Sequence, residues 1–260
     1  MSASDPKREL WLAWWTMVVF YQLFFLVFFV ITGTQPPPNP GSDIPTVVAW
    51  FGARRDGLLI GFAIMFVITG MTSMCNALIA YSMRRMSISP AFAYTYLVIY
   101  SLSAVPGMLL MCLALTAGAM RPNRDPELLQ WLYDFAFLSF SGTMGVFLIG
   151  SLLWMAAILI DRNRVFPTWF GYLNLCNALT EVVVAPAWIF HRGVFAWNGL
   201  ICWWINIVVF GVYTGAFIVF ALVLWMRSSF TPQTDLWHIL LPTLIQGGAM
   251  AFFFIPLTTL

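Results

Sequence analysis

The stretch LWLAWWTMVVFYQLFFLVFFVI, residues 10–31, is an apolar run of 22 residues without a charged side chain. A helix needs about 20 consecutive apolar residues to cross the hydrocarbon core of a bilayer. The run is longer than the apolar part of a signal peptide, and GTQPPPNPG follows it instead of a small-residue cleavage site. We therefore predict that it is a transmembrane helix.

The composition of the whole chain points to the same environment. Of its 260 residues, 61% are hydrophobic and only 8% are charged, whereas a soluble domain carries roughly 25% charged residues. The lipid bilayer is therefore the predicted partner and the cell membrane the predicted location. A net charge of +2 excludes a nucleic-acid binder built on basic patches.

Further apolar runs of sufficient length recur along the chain. They predict an all-α, polytopic integral membrane helix bundle with about seven transmembrane helices, at residues 10–32, 58–83, 91–119, 130–160, 168–190, 199–226 and 238–260. Among the connections only residues 33–57 are long. The part QPPPNPGSDIP, residues 35–45, is predicted to be extended or polyproline-like, because proline lacks the N–H group and disfavours helix before it.

The fifth predicted span contains the polar stretch NLCNALTEVVVAPAW, residues 174–188. Glu181 lies near the middle of this span, where a charge costs at least about 2.5 kcal/mol. Asn174, Asn177 and Glu181 are spaced i, i+3, i+7 and share one helix face. They are candidates for a substrate or proton site.

Pro186 interrupts the same helix. Its ring removes the hydrogen bond to the carbonyl of Val182, so the sequence predicts a free backbone acceptor one residue from Glu181. Broken helices with freed carbonyls and a carboxylate form cation and proton sites in transporters. In the alternative interpretation, Glu181 is protonated and hydrogen-bonds to an asparagine of a neighbouring helix, which stabilises packing only.

The second predicted span has a polar face of its own. Thr69, Thr72, Ser73 and Asn76 are spaced i, i+3, i+4, i+7. Small polar stripes of this kind usually indicate close helix packing, and a substrate lining that includes Thr72 and Asn76 is the other interpretation. Gly57 and Gly61 match the GxxxG packing motif.

Motifs for enzymatic chemistry are not found. The sequence contains no G-x-S-x-G, P-loop, G-x-G-x-x-G or H-E-x-x-H, so we expect neither an enzyme nor a cofactor. The four cysteines lack CxxC spacing, and the two histidines lie at span ends, which predicts no metal site.

The last residues carry a resemblance to a known family. Residues 226–260, MRSSFTPQTDLWHILLPTLIQGGAMAFFFIPLTTL, resemble a segment from the C-terminal half of the EmrB/QacA-type drug:proton antiporters of the major facilitator superfamily. The resemblance implies a span end, a short external loop and the next span. Gly247, Gly248 and Pro256 would be packing and bending positions, and Gln246 a polar one.

This resemblance divides the chain into a multi-span module, residues 1–215, and a transporter-like two-span segment, residues 216–260. We therefore expect a transport-related membrane protein that carries a small molecule or a proton. The alternative is a non-catalytic membrane subunit or scaffold whose polar helix faces pack against a partner or against a second copy in a homo-oligomer. A water-accessible cavity that reaches Glu181 would favour transport.

Overall fold

The computed structural model describes residues 6–103, 105–121, 123–141 and 144–229. All regular secondary structure in these ranges is helical, in agreement with the predicted all-α class. The predicted seventh span and residues 230–260 of the antiporter-like segment lie outside the described residues. The helices are α1 (Pro6–Phe25), α2 (Ile44–Ile68), α3 (Met71–Met83), α4 (Pro90–Ser103), α5 (Leu110–Met120), α6 (Pro126–Ser141), α7 (Met144–Ile160), α8 (Thr168–Val184) and α9 (Asn206–Ser229).

Four stretches are long and apolar enough to cross a membrane: Trp11–Ile31, Ile44–Met83, Pro90–Met120 and Pro126–Ile160. They overlap the first four predicted spans. By length and composition the chain is therefore a multi-pass membrane protein. Helices also occupy the next two predicted spans, but α8 has only 17 residues and the following apolar part is Leu200–Ala216, so the count of seven remains a prediction.

The second membrane-crossing helix begins earlier than predicted. The sequence predicts a connection over residues 33–57 and a second span from residue 58, but α2 starts at Ile44. The Asp43 side chain accepts a hydrogen bond from the Thr46 backbone N–H at 3.2 Å, and Pro45 occupies the first turn. This is a favourable helix start, because an Asp cap satisfies a free N–H and proline already has helical φ. The prediction was wrong since it gave weight to the prolines and overlooked the cap.

The described helices pack around two apolar clusters. One cluster contains side chains from the end of the first span, α2, α5 and α6, among them Phe28, Phe62, Leu115 and Phe137. The other contains side chains from α1, α3, α4, α7, α8 and α9, among them Trp14, Ile79, Tyr96, Trp154 and Phe170. Within the second cluster α8 packs along α7, and α7 packs on α4.

Two glycines allow α2 to approach the end of the first span closely. A methyl group added at Gly57 would collide with the backbone carbonyl oxygen of Ile31, and one added at Gly61 would collide with the Thr32 side chain. The GxxxG pair thus forms a contact within this chain, and it fixes where the connection to α2 begins.

The buried carboxylate of Asp161 joins the loop between α3 and α4 to the loop between α7 and α8. Asp161, which follows α7 and is only 6% exposed, accepts hydrogen bonds from the backbone N–H and the hydroxyl of Ser87 at 2.7 and 3.0 Å. It also accepts the backbone N–H groups of Asn163 at 3.0 Å and Val165 at 2.9 Å. Burial raises the pKa of this carboxyl, but the hydrogen bonds outweigh burial and hold the pKa below its usual value.

We expect Asp161→Asn to lower stability by about 1–2 kcal/mol, because the new amide N–H would face a backbone donor and leave it unpaired. In the wild type the folded pKa lies below the unfolded value of about 3.9. The contribution of Asp161 is therefore present above about pH 4 and is lost as pH falls further. Thermal unfolding in detergent at pH 7 and below about pH 3 tests this, with the exposed Asp56→Asn as the control. Equal melting temperatures of the two variants at pH 7 would contradict it.

Candidate functional site

A cavity of about 220 Å³ lies inside the helix bundle, and residues of both apolar clusters line it. We call it the chamber. Twelve of its 24 lining residues are Phe, Tyr or Trp. Pockets for drug-sized ligands measure about 300–1,000 Å³, so the chamber fits a smaller molecule. Its polar lining residues include Gln35, Thr72, Asn76, Ser103, Glu181 and Asn206.

Glu181 of α8 is part of the chamber wall and is partly exposed within the bundle. No lysine, arginine or histidine is among the described residues that line the chamber. Within the described part of the chain, Glu181 makes neither an ion pair nor a hydrogen bond. An isolated carboxylate in apolar surroundings is costly, so this group needs either a proton or a cation beside it.

The polar face of the second predicted span reaches the same chamber. Asn76 of α3 is 9% exposed, and its amide makes no hydrogen bond with any described residue. Thr72 also lines the chamber, and its hydroxyl donates to the Thr69 carbonyl at 2.7 Å. The structure therefore places Thr72, Asn76 and Glu181, from two different predicted spans, around one cavity.

Asn174 and Asn177 lie behind the chamber wall and are not among its lining residues. Asn174 is fully buried, donates to the Phe170 carbonyl at 2.8 Å and accepts the Tyr213 hydroxyl at 3.1 Å. The Asn177 amide donates to the Ser151 hydroxyl at 3.0 Å. They share a helix face with Glu181 as predicted, but their hydrogen bonds connect α8 to its neighbours.

One of these bonds supports the chamber indirectly. The Ser151 hydroxyl, which accepts from Asn177, also hydrogen-bonds to the Tyr100 hydroxyl at 3.3 Å. Tyr100 lines the chamber. The bonds from α8 through α7 to α4 thus fix the orientation of one aromatic ring in the wall, and Asn177 acts as a positioning residue.

Pro186 does interrupt α8, but the predicted free carbonyl is not present. The helix ends at Val184, and residues Ala185–Trp188 form one 3-10 turn. The backbone N–H of Ala185 donates to the Val182 carbonyl. This prediction was wrong because a tighter i to i+3 bond at a helix end satisfies the carbonyl that proline leaves open. Pro186 is not among the residues that line the chamber.

A segment that connects the first span to α2, residues 32–43, folds over the chamber, and we call it the strap. Three side chains of the bundle bind its backbone carbonyls. Arg54 donates to Gly33 at 3.1 Å, Trp197 to Pro38 at 2.7 Å and Tyr133 to Asn39 at 3.0 Å. The strap is therefore held as part of the chamber wall.

Gln35 of the strap is a lining residue that the sequence analysis missed. It is only 6% exposed, and neither its amide oxygen nor its amide nitrogen has a hydrogen-bond partner among the described residues. The only sequence signal was a glutamine placed directly before three prolines. That signal does not indicate that the segment folds back onto the bundle.

No protein-family model, curated protein or solved structure matches the chain. Within the described residues, no three His, Cys, Asp or Glu side chains come together where they could hold a metal ion. The chemical groups of the chamber are therefore the basis for an inference about function.

Proposed function

We propose that the protein binds a small organic cation in the chamber and carries it across the membrane in exchange for a proton on Glu181. The observation that carries this proposal is a carboxylate without a cationic partner among the described residues, in a cavity whose wall is half aromatic. The antiporter resemblance of residues 226–260 is a separate prediction, and the proposal does not depend on it.

The lining suits a positive charge that is attached to an apolar body. Aromatic faces attract cations, by about 2 kcal/mol or more where water is excluded. Phe24, Phe137 and Phe210 are among the rings of the chamber wall, and Glu181 supplies the opposite charge. Since the volume of about 220 Å³ is below the range of drug-sized pockets, we propose a small aromatic or branched aliphatic amine.

Glu181 also supplies the coupling to protons. In an empty chamber a proton on the carboxyl group avoids the cost of a lone buried charge. A bound ammonium group stabilises the carboxylate, so cation binding releases this proton. Release of the cation on the other side of the membrane then requires that Glu181 take up a proton again. The location in the cell membrane is part of the same proposal.

Binding of matched probes tests the proposal. Phenethylamine is a cation at neutral pH, and 2-phenylethanol has the same ring and chain length without the charge. We expect the purified protein to bind the amine at least about tenfold more tightly, because only the amine pairs with Glu181. Equal affinities would overturn the proposed selectivity for cations.

Transport needs a probe that cannot cross lipid by losing a proton. Phenethyltrimethylammonium is permanently charged, so its uptake into proteoliposomes reports the protein alone. A pH-sensitive dye inside the vesicles is expected to record proton movement opposite to the cation. Uptake without proton movement would contradict the exchange but leave the binding site in place.

A further inference from the structure

The strap contributes a second polar contact to the chamber, on a different wall from Glu181. Gln35 is buried to more than nine-tenths, and both polar atoms of its amide are unpaired among the described residues. A buried polar group without a partner is unfavourable, and most such groups in folded proteins have a partner. The position borders the chamber, and a ligand can supply that partner once the amide, which lies out of reach of solvent, turns toward it.

The next three residues offer no backbone N–H to the amide oxygen of Gln35. Residues 36–38 are three consecutive prolines, and proline has no N–H group to donate. The strap does not need Gln35 for its own attachment either, since Arg54, Tyr133 and Trp197 bind its carbonyls. The hydrogen-bonding capacity of the amide is thus unused among the described residues, at a position that borders the chamber.

We infer that the ligand carries a second, uncharged hydrogen-bonding group that pairs with Gln35 while its cationic group lies at Glu181. A carboxamide matches the Gln35 amide best, because each amide offers both a donor and an acceptor. The ligand class is therefore a small aromatic amine with a neutral polar substituent on its body. This inference rests on the proposed function, since it concerns the same chamber.

Substituted phenethylamines test the inference directly. The probes carry a carboxamide at the para or meta position of the ring, each beside its methyl counterpart. We expect at least one carboxamide probe to bind the wild type about three- to tenfold more tightly than its methyl counterpart, as one neutral hydrogen bond would give. No preference at either position would overturn the inference.

Variants of Gln35 assign that preference to the strap. Gln35→Met keeps the length of the side chain and removes both polar atoms, so the carboxamide probe should no longer bind more tightly than its methyl counterpart. Gln35→Leu is the second variant and is expected to give the same result. Gln22→Leu on α1 changes a glutamine that does not line the chamber, and it should keep the preference. A preference that survives in both Gln35 variants would exclude Gln35 as the contact.

Failure of this inference and failure of the proposed function give different results. Neutral probes, 4-ethylbenzamide and 4-ethyltoluene, test the Gln35 contact without a charge. If phenethylamine binds no better than 2-phenylethanol but the benzamide still binds better than the toluene, the cation proposal fails and the Gln35 contact stands. If phenethylamine binds more tightly than 2-phenylethanol, but no carboxamide probe binds more tightly than its methyl counterpart, only the Gln35 contact fails.

Discussion

Glu181→Gln is expected to weaken phenethylamine binding at least about thirtyfold and to leave 2-phenylethanol binding unchanged. The substitution keeps the size of the side chain and removes its negative charge. Truncation of one partner in a buried charge pair costs about 2 kcal/mol or more, and each 1.4 kcal/mol corresponds to a factor of ten. Isothermal titration with both probes measures the two affinities in the same preparation.

The matched control for this prediction is Glu127→Gln. Glu127 is exposed in the first turn of α6 and lies away from the chamber. Glu127→Gln should leave the affinities for phenethylamine and 2-phenylethanol unchanged. This control separates a local effect at Glu181 from the effect of a change in the net charge of the protein. If Glu181→Gln retains full amine binding, the carboxylate is a packing group. The interpretation of Glu181 as a neutral hydrogen-bonding side chain would then be the better one.

Gly57→Ala is expected to lower the stability of the folded protein by up to about 3 kcal/mol. The added methyl group would meet the backbone carbonyl of Ile31, and backbone cannot rotate away as a flexible side chain can. Overpacking of this kind typically costs about 1–3 kcal/mol. For a chain of this size that corresponds to a fall in melting temperature of about 2–4 °C for each kcal/mol, which thermal unfolding in detergent can resolve.

The same helix provides the comparison for Gly57. A methyl group at Gly52 would meet nothing within 4 Å. Gly52→Ala should therefore leave stability unchanged or raise it by up to about 1 kcal/mol, because alanine favours helix over glycine. Similar melting temperatures for the two variants would show that α2 and the end of the first span are not in close contact.

Length and hydropathy were sufficient to predict the helical membrane class and the first four apolar spans, because both depend on local composition. The shared face of Asn174, Asn177 and Glu181 also followed from helical spacing alone. The hydrogen-bond partners of each of these residues could not be predicted from helical spacing. Asn174 bonds to Tyr213, 39 positions away in the chain, and no local pattern indicates which distant side chain will meet a given amide.

The strap shows the same limit in a loop. Prolines predicted a segment without helix, and residues 32–43 form neither helix nor strand. No local signal in the sequence indicates that Trp197, 159 positions after Pro38, binds the backbone of this segment. Gln35 was missed for this reason. The polar stripe of α3 was recognised, yet only the tertiary arrangement shows that Asn76 and Glu181 belong to one cavity.

The apolar stretch Ile44–Met83 has 40 residues and comprises α2 and α3. At 1.5 Å per residue the two helices together measure about 60 Å, twice the thickness of the hydrocarbon core. Gly57 contacts Ile31, the last residue of the first span, so residues 44–56 continue for about 20 Å past that level. The strap, residues 32–43, joins Ile31 to the start of α2 and runs beside the chamber over this distance, so the two helices that it connects set its path at both ends.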